Sequence, residues 1–265
     1  MMDGIMIGRY VPGDSILHRM DPRSKLLLVF FFICIVFLAN NVVTYTILCA
    51  YTLLLVALSK IQIKFILSGL KPILLLVAFT FLLHIFFTKE GDIWLDFGWL
   101  TIYKGGIEQG IFISLRFLFL ILIATLLTLS TTPISLTDGL EELLNPLKRF
   151  KLPVHELALM MSISLRFIPT LLEETNKIMK AQTARGVDFS SGPIKDRVSA
   201  IVPLLVPLFV SSFKRAEELA TAMESRGYRG GEGRTKYRLL KWGTSDTILL
   251  VSLAILSIVL FYFRT

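Results

Sequence analysis

Hydrophobic positions along this chain fall into two kinds of run. The first kind is long and free of charge. Residues 26 to 59 contain no Asp, Glu, Lys or Arg. These 34 residues exceed one bilayer crossing, which takes ~17–25, and fit two short ones. Asn40-Asn41 supplies the turn between them. Similar runs follow at 72–88, at 107–131 (broken by Glu108 and Arg116) and at 247–263. The pattern predicts five spans near 26–40, 42–58, 66–88, 107–131 and 245–263. The first is short, so bilayer thinning or tilt must accommodate it. Asp21 followed by Pro22 reads as a helix cap and first helical position leading into that span. The polar lead of 25 residues, with no small-residue cleavage site after the apolar run, is not the pattern of a cleavable signal.

The second kind of run is apolar on one side only. From Pro153 to Arg185, apolar residues recur at helical spacing, and Arg166, Glu173, Lys177 and Lys180 fall opposite them. A second such helix is expected from Lys195 to Arg226. Its first half, SAIVPLLVPLFVSS, holds Pro203 and Pro207, which should kink it. A shorter helix is expected at 135–150. With charges at their ends and through their second halves, the two long helices read as amphipathic elements lying on the membrane face and crossing each other. Between spans three and four, segment 89–106 carries Trp94, Trp99 and Tyr103, with a small hairpin expected around Phe97-Gly98 at headgroup level. The fold class is therefore an all-α integral membrane protein: about five transmembrane helices plus a cytoplasmic domain of three helices. The expected division is a membrane domain at 1–131, a cytoplasmic domain at 132–243 and a last transmembrane helix at 244–265.

Composition agrees and charge orients. The chain of 265 residues is 54% hydrophobic, with a mean hydropathy of +0.69. Arg9, Arg19, Arg23 and Lys25 precede the first span, and Lys60, Lys64 and Lys71 surround the turn into the third. The opposite side has only Lys89 and Lys104. Segment 132–243 carries 17 basic residues against 12 acidic ones. The positive-inside rule puts the N-terminus and 132–243 in the cytoplasm and the C-terminus outside. The net charge of +8 is then a topology signal rather than a mark of nucleic-acid binding. Cys34 and Cys49 both lie within the first two spans, which leaves no disulfide framework.

Two short stretches carry the candidate function. AQTARGVDF at 181–189 and TAMESRGYR at 221–229 both end a long helical pattern in Arg-Gly. With an offset of 41, Ala184 falls on Ser225, Arg185 on Arg226 and Gly186 on Gly227. Gly after a helix end is a common cap, and a basic last turn suits the helix dipole, so one copy needs nothing more. Two copies at matched spacing point to two equivalent contacts. Each Arg is preceded by a small residue and followed by a Gly turn, a tip suited to an acidic groove.

With these motifs, DSILHRMDPRSKL at 14–26 and SLRFIPTLLEET at 164–175 resemble the transmembrane coupling subunit of energy-coupling-factor vitamin transporters, the EcfT family, related to the cobalt-transporter subunit CbiQ. The resemblance covers nearly the whole chain. The second motif departs mildly, with Ser225 where the first has Ala184. The resemblance implies partners: two ATP-binding-cassette ATPase subunits that receive Arg185 and Arg226, framed by Ala184 and Gly186 and by Ser225 and Gly227. It also implies one membrane-embedded substrate-binding subunit, held by apolar faces that include Leu157, Met160, Met161, Ile168, Leu171, Leu204, Leu205 and Leu208. It implies a bacterial cell membrane, no cofactor and no catalysis by this chain.

Other chemistry is thin. No G-x-x-x-x-G-K-[ST] phosphate loop occurs, and His18, His84 and His155 have no metal-ligand spacing. Arg116 inside the fourth span reads as a clamp on Glu108 or a backbone carbonyl. A rival reading is a membrane enzyme acting on an anionic lipid through Asp14, His18 and Asp21.

Overall fold

The computed structural model describes residues 10–96, 101–189, 193–231 and 239–264. The chain is helical almost throughout. It divides into two compact units, Met1–Leu143 with Leu239–Thr265, and Leu144–Arg238.

The first unit opens with a single turn, α1 (Ile16–Arg19), then α2 (Pro22–Val36) and α3 (Val42–Ser59). Asp21 caps α2 as expected, its side chain accepting from the Arg23 N–H, with Pro22 at the first position. The helix therefore starts before the uncharged run and ends at Val36, four residues short of the expected end. Its 15 residues cover ~22 Å, less than the ~30 Å of a hydrocarbon core. Next come α4 (Ile63–Phe87), a hairpin of β1 (Ile93–Asp96) and β2 (Thr101–Tyr103), and α5 (Lys104–Ser130). The strands pair antiparallel, Ile93 opposite Tyr103. The hairpin tip and Trp99 lie outside the described residues. Glycines let α4 and α5 pack closely. A Cβ at Gly69 would sit 2.7 Å from Thr125 Cγ2, one at Gly106 3.0 Å from the carbonyl oxygens of His84 and of Thr88, the residue capping α4, and one at Gly110 3.0 Å from Phe81. Gly106 and Gly110 form the small-xxx-small spacing that favours helix association in lipid. The unit closes with α6 (Pro133–Leu144) and α9 (Thr244–Tyr262). By its contacts α6 clusters with the membrane helices. A Cβ at its Gly139 would stand 3.0 Å from Pro22.

Helix directions follow from polar ties at both ends. Asp246, 2% exposed, accepts from the Asp21 N–H at 2.9 Å, and its Oδ1 lies 2.5 Å from Ser24 Oγ. Its Oδ2 accepts from the Gly243 N–H at 2.7 Å. The start of α9 is thus fastened to the start of α2. At the far end Asn40 donates to the Arg264 carbonyl at 2.8 Å and Asn41 to that of Phe263 at 3.3 Å. So α2 and α9 run parallel, and the C-terminal residues end beside the α2–α3 turn. Lys25 Nζ donates to the Ser130 carbonyl at 3.1 Å and to Thr131 Oγ1 at 3.0 Å, a cation on the last turn of α5, where the helix dipole favours it. Hence α5 runs against α2. Arg116 meets a backbone carbonyl, that of Ala39 at 3.4 Å, and lies over the Phe37 ring. The apolar core between these ties includes Phe32, Leu48, Leu55, Ile123 and Leu260.

The second unit holds a 3-10 turn (Asn145–Phe150), α7 (Val154–Ala184) and α8 (Ile194–Ser225). The single helix expected at 135–150 is instead α6 followed by this turn. Pro146 accounts for the break, because it disfavours helical backbone at Asn145 and removes a donor. The two long helices match the expected limits to one residue. Both run through internal prolines, Pro169 in α7, Pro203 and Pro207 in α8.

Six described helices are long and apolar enough to cross a membrane by length and composition. Four of them, α3, α4, α5 and α9, have hydropathies of 2.0 to 2.5, whereas α7 and α8 reach only 1.2 and 1.3. These four correspond to the second to fifth expected spans; α2, at the place of the first, is not among the six, and α7 and α8, the least apolar of them, are the two helices expected on the membrane face.

Candidate functional site

Both Arg-Gly steps fall at helix ends and have the same backbone. Arg185 has φ −87° and ψ 4°, Arg226 φ −88° and ψ 8°. Gly186 and Gly227 follow at φ 91° and 73°, in the left-handed region that glycine adopts freely. Gly186 N–H donates to the Thr183 carbonyl at 3.0 Å and Val187 N–H to that of Gln182 at 3.0 Å. Gly227 N–H donates to Glu224 at 2.8 Å and Tyr228 N–H to Met223 at 3.0 Å. These are two Schellman caps, bond for bond at an offset of 41. Ala184, Arg185 and Gly186 are exposed, as are Ser225, Arg226 and Gly227. A Cβ at either glycine would meet nothing within 4 Å. The caps account for how each helix stops. Among the described residues neither guanidinium group has a partner, and each follows its helix on a capped, exposed turn.

The two helices pair antiparallel. Phe167 lies under the Arg215 guanidinium at 5.8 Å from its centroid, Glu174 meets Arg215 at 3.0 Å and accepts from Ser211, and Gln182 reaches the Pro203 carbonyl at 3.4 Å. As numbers rise along α7, their partners on α8 fall. Glu174 and Arg215 are themselves 41 apart, the offset of the repeat. Each Arg-Gly end therefore lies 11 residues beyond its own member of this ion pair, in opposite directions. At 1.5 Å per residue, that separates the two arginines by on the order of 30 Å about an approximate two-fold.

The Gln182 bond has a local cause. Pro207 lacks an N–H, so the carbonyl of Pro203, four residues earlier, loses its helical donor. Gln182 Nε2, three residues before Arg185, supplies one.

The apolar residues read from the sequence divide by exposure. Leu157, Met160, Met161 and Leu205 are exposed, while Ile168, Leu171, Leu204 and Leu208 are half-buried. On α8 the exposed stripe also takes in Ile201, Val202, Val206, Phe209, Val210 and Phe213. Its signal was in the sequence: these residues recur at i, i+1, i+4 and i+5, a face wider than one buried seam requires.

Asp14, His18 and Asp21 do not assemble a catalytic centre. His18 has both ring nitrogens engaged, Nδ1 with Ser15 Oγ at 2.6 Å and Nε2 with the Val11 carbonyl at 3.0 Å. Asp14 is an exposed carboxylate 3.8 Å from Arg19. The Asp21 carboxylate is spent on Arg23, taking its backbone N–H at 2.8 Å and its guanidinium at 3.1 and 2.9 Å. Burial works to raise the pKa of Asp21, but these bonds and the Arg23 charge hold it below the usual carboxylate value. It is a fixed acceptor rather than a proton carrier, and the lipid-enzyme reading is withdrawn. Among the described residues no cluster of His, Cys, Asp and Glu could hold a metal ion.

Comparison with known proteins agrees. Residues 13–237 match the CbiQ family, described as cobalt transport protein. The energy-coupling factor transporter transmembrane protein EcfT of Bacillus subtilis (strain 168) is 67% identical over 264 residues, 100% of both chains. The protein of the same description from Listeria innocua is 58% identical over 265 residues, again 100% of both. That from Exiguobacterium sibiricum is 55% identical over 260 residues, 98% of this chain and 99% of its own. A family match over most of the chain, together with end-to-end identities above one half, establishes that the chain belongs to the CbiQ family, among the energy-coupling factor transporter transmembrane proteins.

Proposed function

We propose that the chain is the coupling subunit of its transporter, and that Arg185 and Arg226 each dock into an acidic groove on one of two ATP-binding-cassette ATPase subunits. One observation carries this reading: two exposed Arg-Gly caps with the same hydrogen bonds, at equal distances either side of the Glu174–Arg215 pair on antiparallel helices. A pair of like ATPases offers like grooves, and a chain that repeats its own contact at a fixed spacing fits such a pair. The exposed apolar faces of α7 and α8 then hold a membrane-embedded substrate-binding subunit, and ATP-driven movement of the caps reaches it through the paired helices. Leu157, Met160, Met161 and Leu205 are the outward members of those faces. The chain itself does not hydrolyse ATP, and a vitamin-class substrate is chosen by the partner. The Lys/Arg bias and the odd number of spans support a cytoplasmic N-terminus and α7–α8 unit, with the C-terminus outside.

The test is co-purification of the ATPases and transport by Arg185→Ala, Arg226→Ala and the double variant. Truncating a buried, hydrogen-bonded charge costs about 2–5 kcal/mol, so each single variant should weaken assembly markedly. The double variant should lose it, because two contacts on one rigid chain reinforce each other. Lys should rescue only in part, for want of the planar fork. Lys241→Ala, another exposed cation, should change nothing. A double variant that assembles and transports like the parent reduces the motifs to helix caps.

A further inference from the structure

We infer that the first unit holds an anionic phospholipid at the α3–α4 turn, with its headgroup in one cavity and an acyl chain in the groove that adjoins it. The first cavity, about 260 Å³, lies between the stretch ahead of α1 and the α3–α4 turn, with Asp14, His18, Lys60 and Gln62 in its wall. The second, about 250 Å³, is a groove between α4 and α5 lined by Gly69, Ile73, Ala124, Thr125 and Thr128. Phe65 borders both. One space has Asp14, His18, Lys60 and Gln62 in its wall, among apolar neighbours, and lies at the end of the helices. The other is apolar and runs along helices that cross the bilayer. That succession is the outline of a phospholipid rather than of a soluble metabolite or a protein side chain.

Charge decides the headgroup. Lys60 lines the cavity, and Lys64 and Arg19 stand exposed on residues close to it in sequence, against the one carboxylate of Asp14, which Arg19 already faces. A cationic rim at a membrane surface attracts anionic lipid, about 1 kcal/mol for each Lys or Arg. Lys60 also holds a backbone conformation that favours glycine, φ 51° at the end of α3. A lysine kept there puts an ammonium at the cavity where a bare cap would have served. His18 is pinned by Ser15 and Val11, so the cavity wall is rigid. Gly13 leaves the space the ring needs, since a Cβ there would be 3.0 Å from His18 Cε1. The close approach of Gly69 to Thr125, which any side chain at 69 would break, lies in the wall of the groove.

The experiment uses the full chain, purified in whatever assembly it forms, in nanodiscs of phosphatidylcholine with a minority of phosphatidylglycerol. Lipid retained on release is counted by native mass spectrometry. The parent should keep one phosphatidylglycerol far above its share of the bilayer. Lys60→Gly, which suits the left-handed backbone and so preserves the turn, should lower retention about fivefold or more at an unchanged melting temperature. Ala124→Phe, filling the groove from an exposed position, should do the same, with Thr128→Phe as its substitute should it fail to fold. Parent-like retention in both variants overturns the proposal, and loss in only one overturns the two-part site. Binding of soluble glycerol phosphate at millimolar concentration, with displacement of the lipid, assigns the cavity to a free phosphate and overturns it too.

Discussion

Both units expose apolar side chains, but they place charge differently. In the membrane unit three charges are inside and paired. Lys25, Asp21 and Asp246 are 6%, 4% and 2% exposed, and each is tied to a partner on another helix or on its own cap. Apolar residues such as Phe30, Leu75 and Ile255 face outward, where lipid covers them. In the α7–α8 unit the arginines of the caps stand exposed, and so does a stripe from Ile201 to Phe213. Among the described residues of that unit only Val154 and Ala158 count as buried apolar side chains. One unit ties its buried charges to one another and to its own backbone. The other presents a charge at each end and an uncovered apolar face between, the form of a part completed by partners.

The comparison breaks first at Asp246. Asp246→Ala removes the acceptor for the Asp21 and Gly243 N–H groups and for Ser24 at once; Ser24 keeps the Asp21 carbonyl and Gly243 is exposed, but the buried Asp21 N–H is left unpaired. The loss should be about 2–4 kcal/mol, read as a lower melting temperature of the isolated chain. The ATPase docking proposed for the α7–α8 unit should persist in whatever fraction remains folded. If Asp246→Ala leaves the melting temperature unchanged, the membrane unit is not held by its polar ties.

Glu174 and Arg215 come next. Glu174→Ala strips partners from both Arg215 and Ser211. At 24% and 30% side-chain exposure solvent softens the change to roughly 1 kcal/mol. Coupling should suffer more than stability, because the pair sets the relation of the two caps. The exchange Glu174→Arg with Arg215→Glu should recover transport. A failure of the exchange, with normal stability, would mean that the pair is incidental to the symmetry of the caps.

The two regions also differ in how far the sequence revealed them. Spans and long helices were legible because hydropathy and helical spacing are local, and both Arg-Gly caps because Gly after a helix end is a local signal. The tie of Asp246 to Asp21 joins positions 225 apart, and nothing near either residue announces it. The start of α2 was legible as a cap, yet the span was drawn from the charge-free run, which misplaced both of its ends. Some of the rest lay in view. Gly106 and Gly110 carry a packing spacing, and Glu174 and Arg215 share the offset of the repeat. That these two unlike residues touch, and so that the helices pair antiparallel, is not in the sequence. The break at Pro146 was equally readable.

A smaller effect separates cap from dock. Gly186→Ala and Gly227→Ala bring no clash, since nothing lies within 4 Å of the new Cβ, so each costs only the strain of left-handed backbone, ~1 kcal/mol. Helix ends should fray slightly, visible as faster amide exchange at 182–187 or 223–228. Transport should fall by more than that strain explains if the turn aims the arginine. A fall in proportion to fraying alone would return the glycines to plain capping.

The smallest effect tests whether the first cap is tied to α8 as the geometry implies. Pro207 deprives the Pro203 carbonyl of its helical donor, and Gln182 replaces it at 3.4 Å, a long bond. Gln182→Ala should therefore cost at most about 1 kcal/mol in the parent. In a Pro207→Ala background the backbone N–H of residue 207 returns to that carbonyl, and the same Gln182→Ala change should cost less. The two substitutions should then be non-additive, with a coupling of about 0.5 kcal/mol or more in the double-mutant cycle. Transport adds a second reading of the same cycle. If Gln182 serves only the orphaned carbonyl, Pro207→Ala rescues the transport of Gln182→Ala. If Gln182 also steadies the cap three residues later, transport stays low although stability recovers. Strict additivity in both measurements would show that the bond to Pro203 carries no weight, and the first Arg-Gly end would then be as free of α8 as its exposure alone implies.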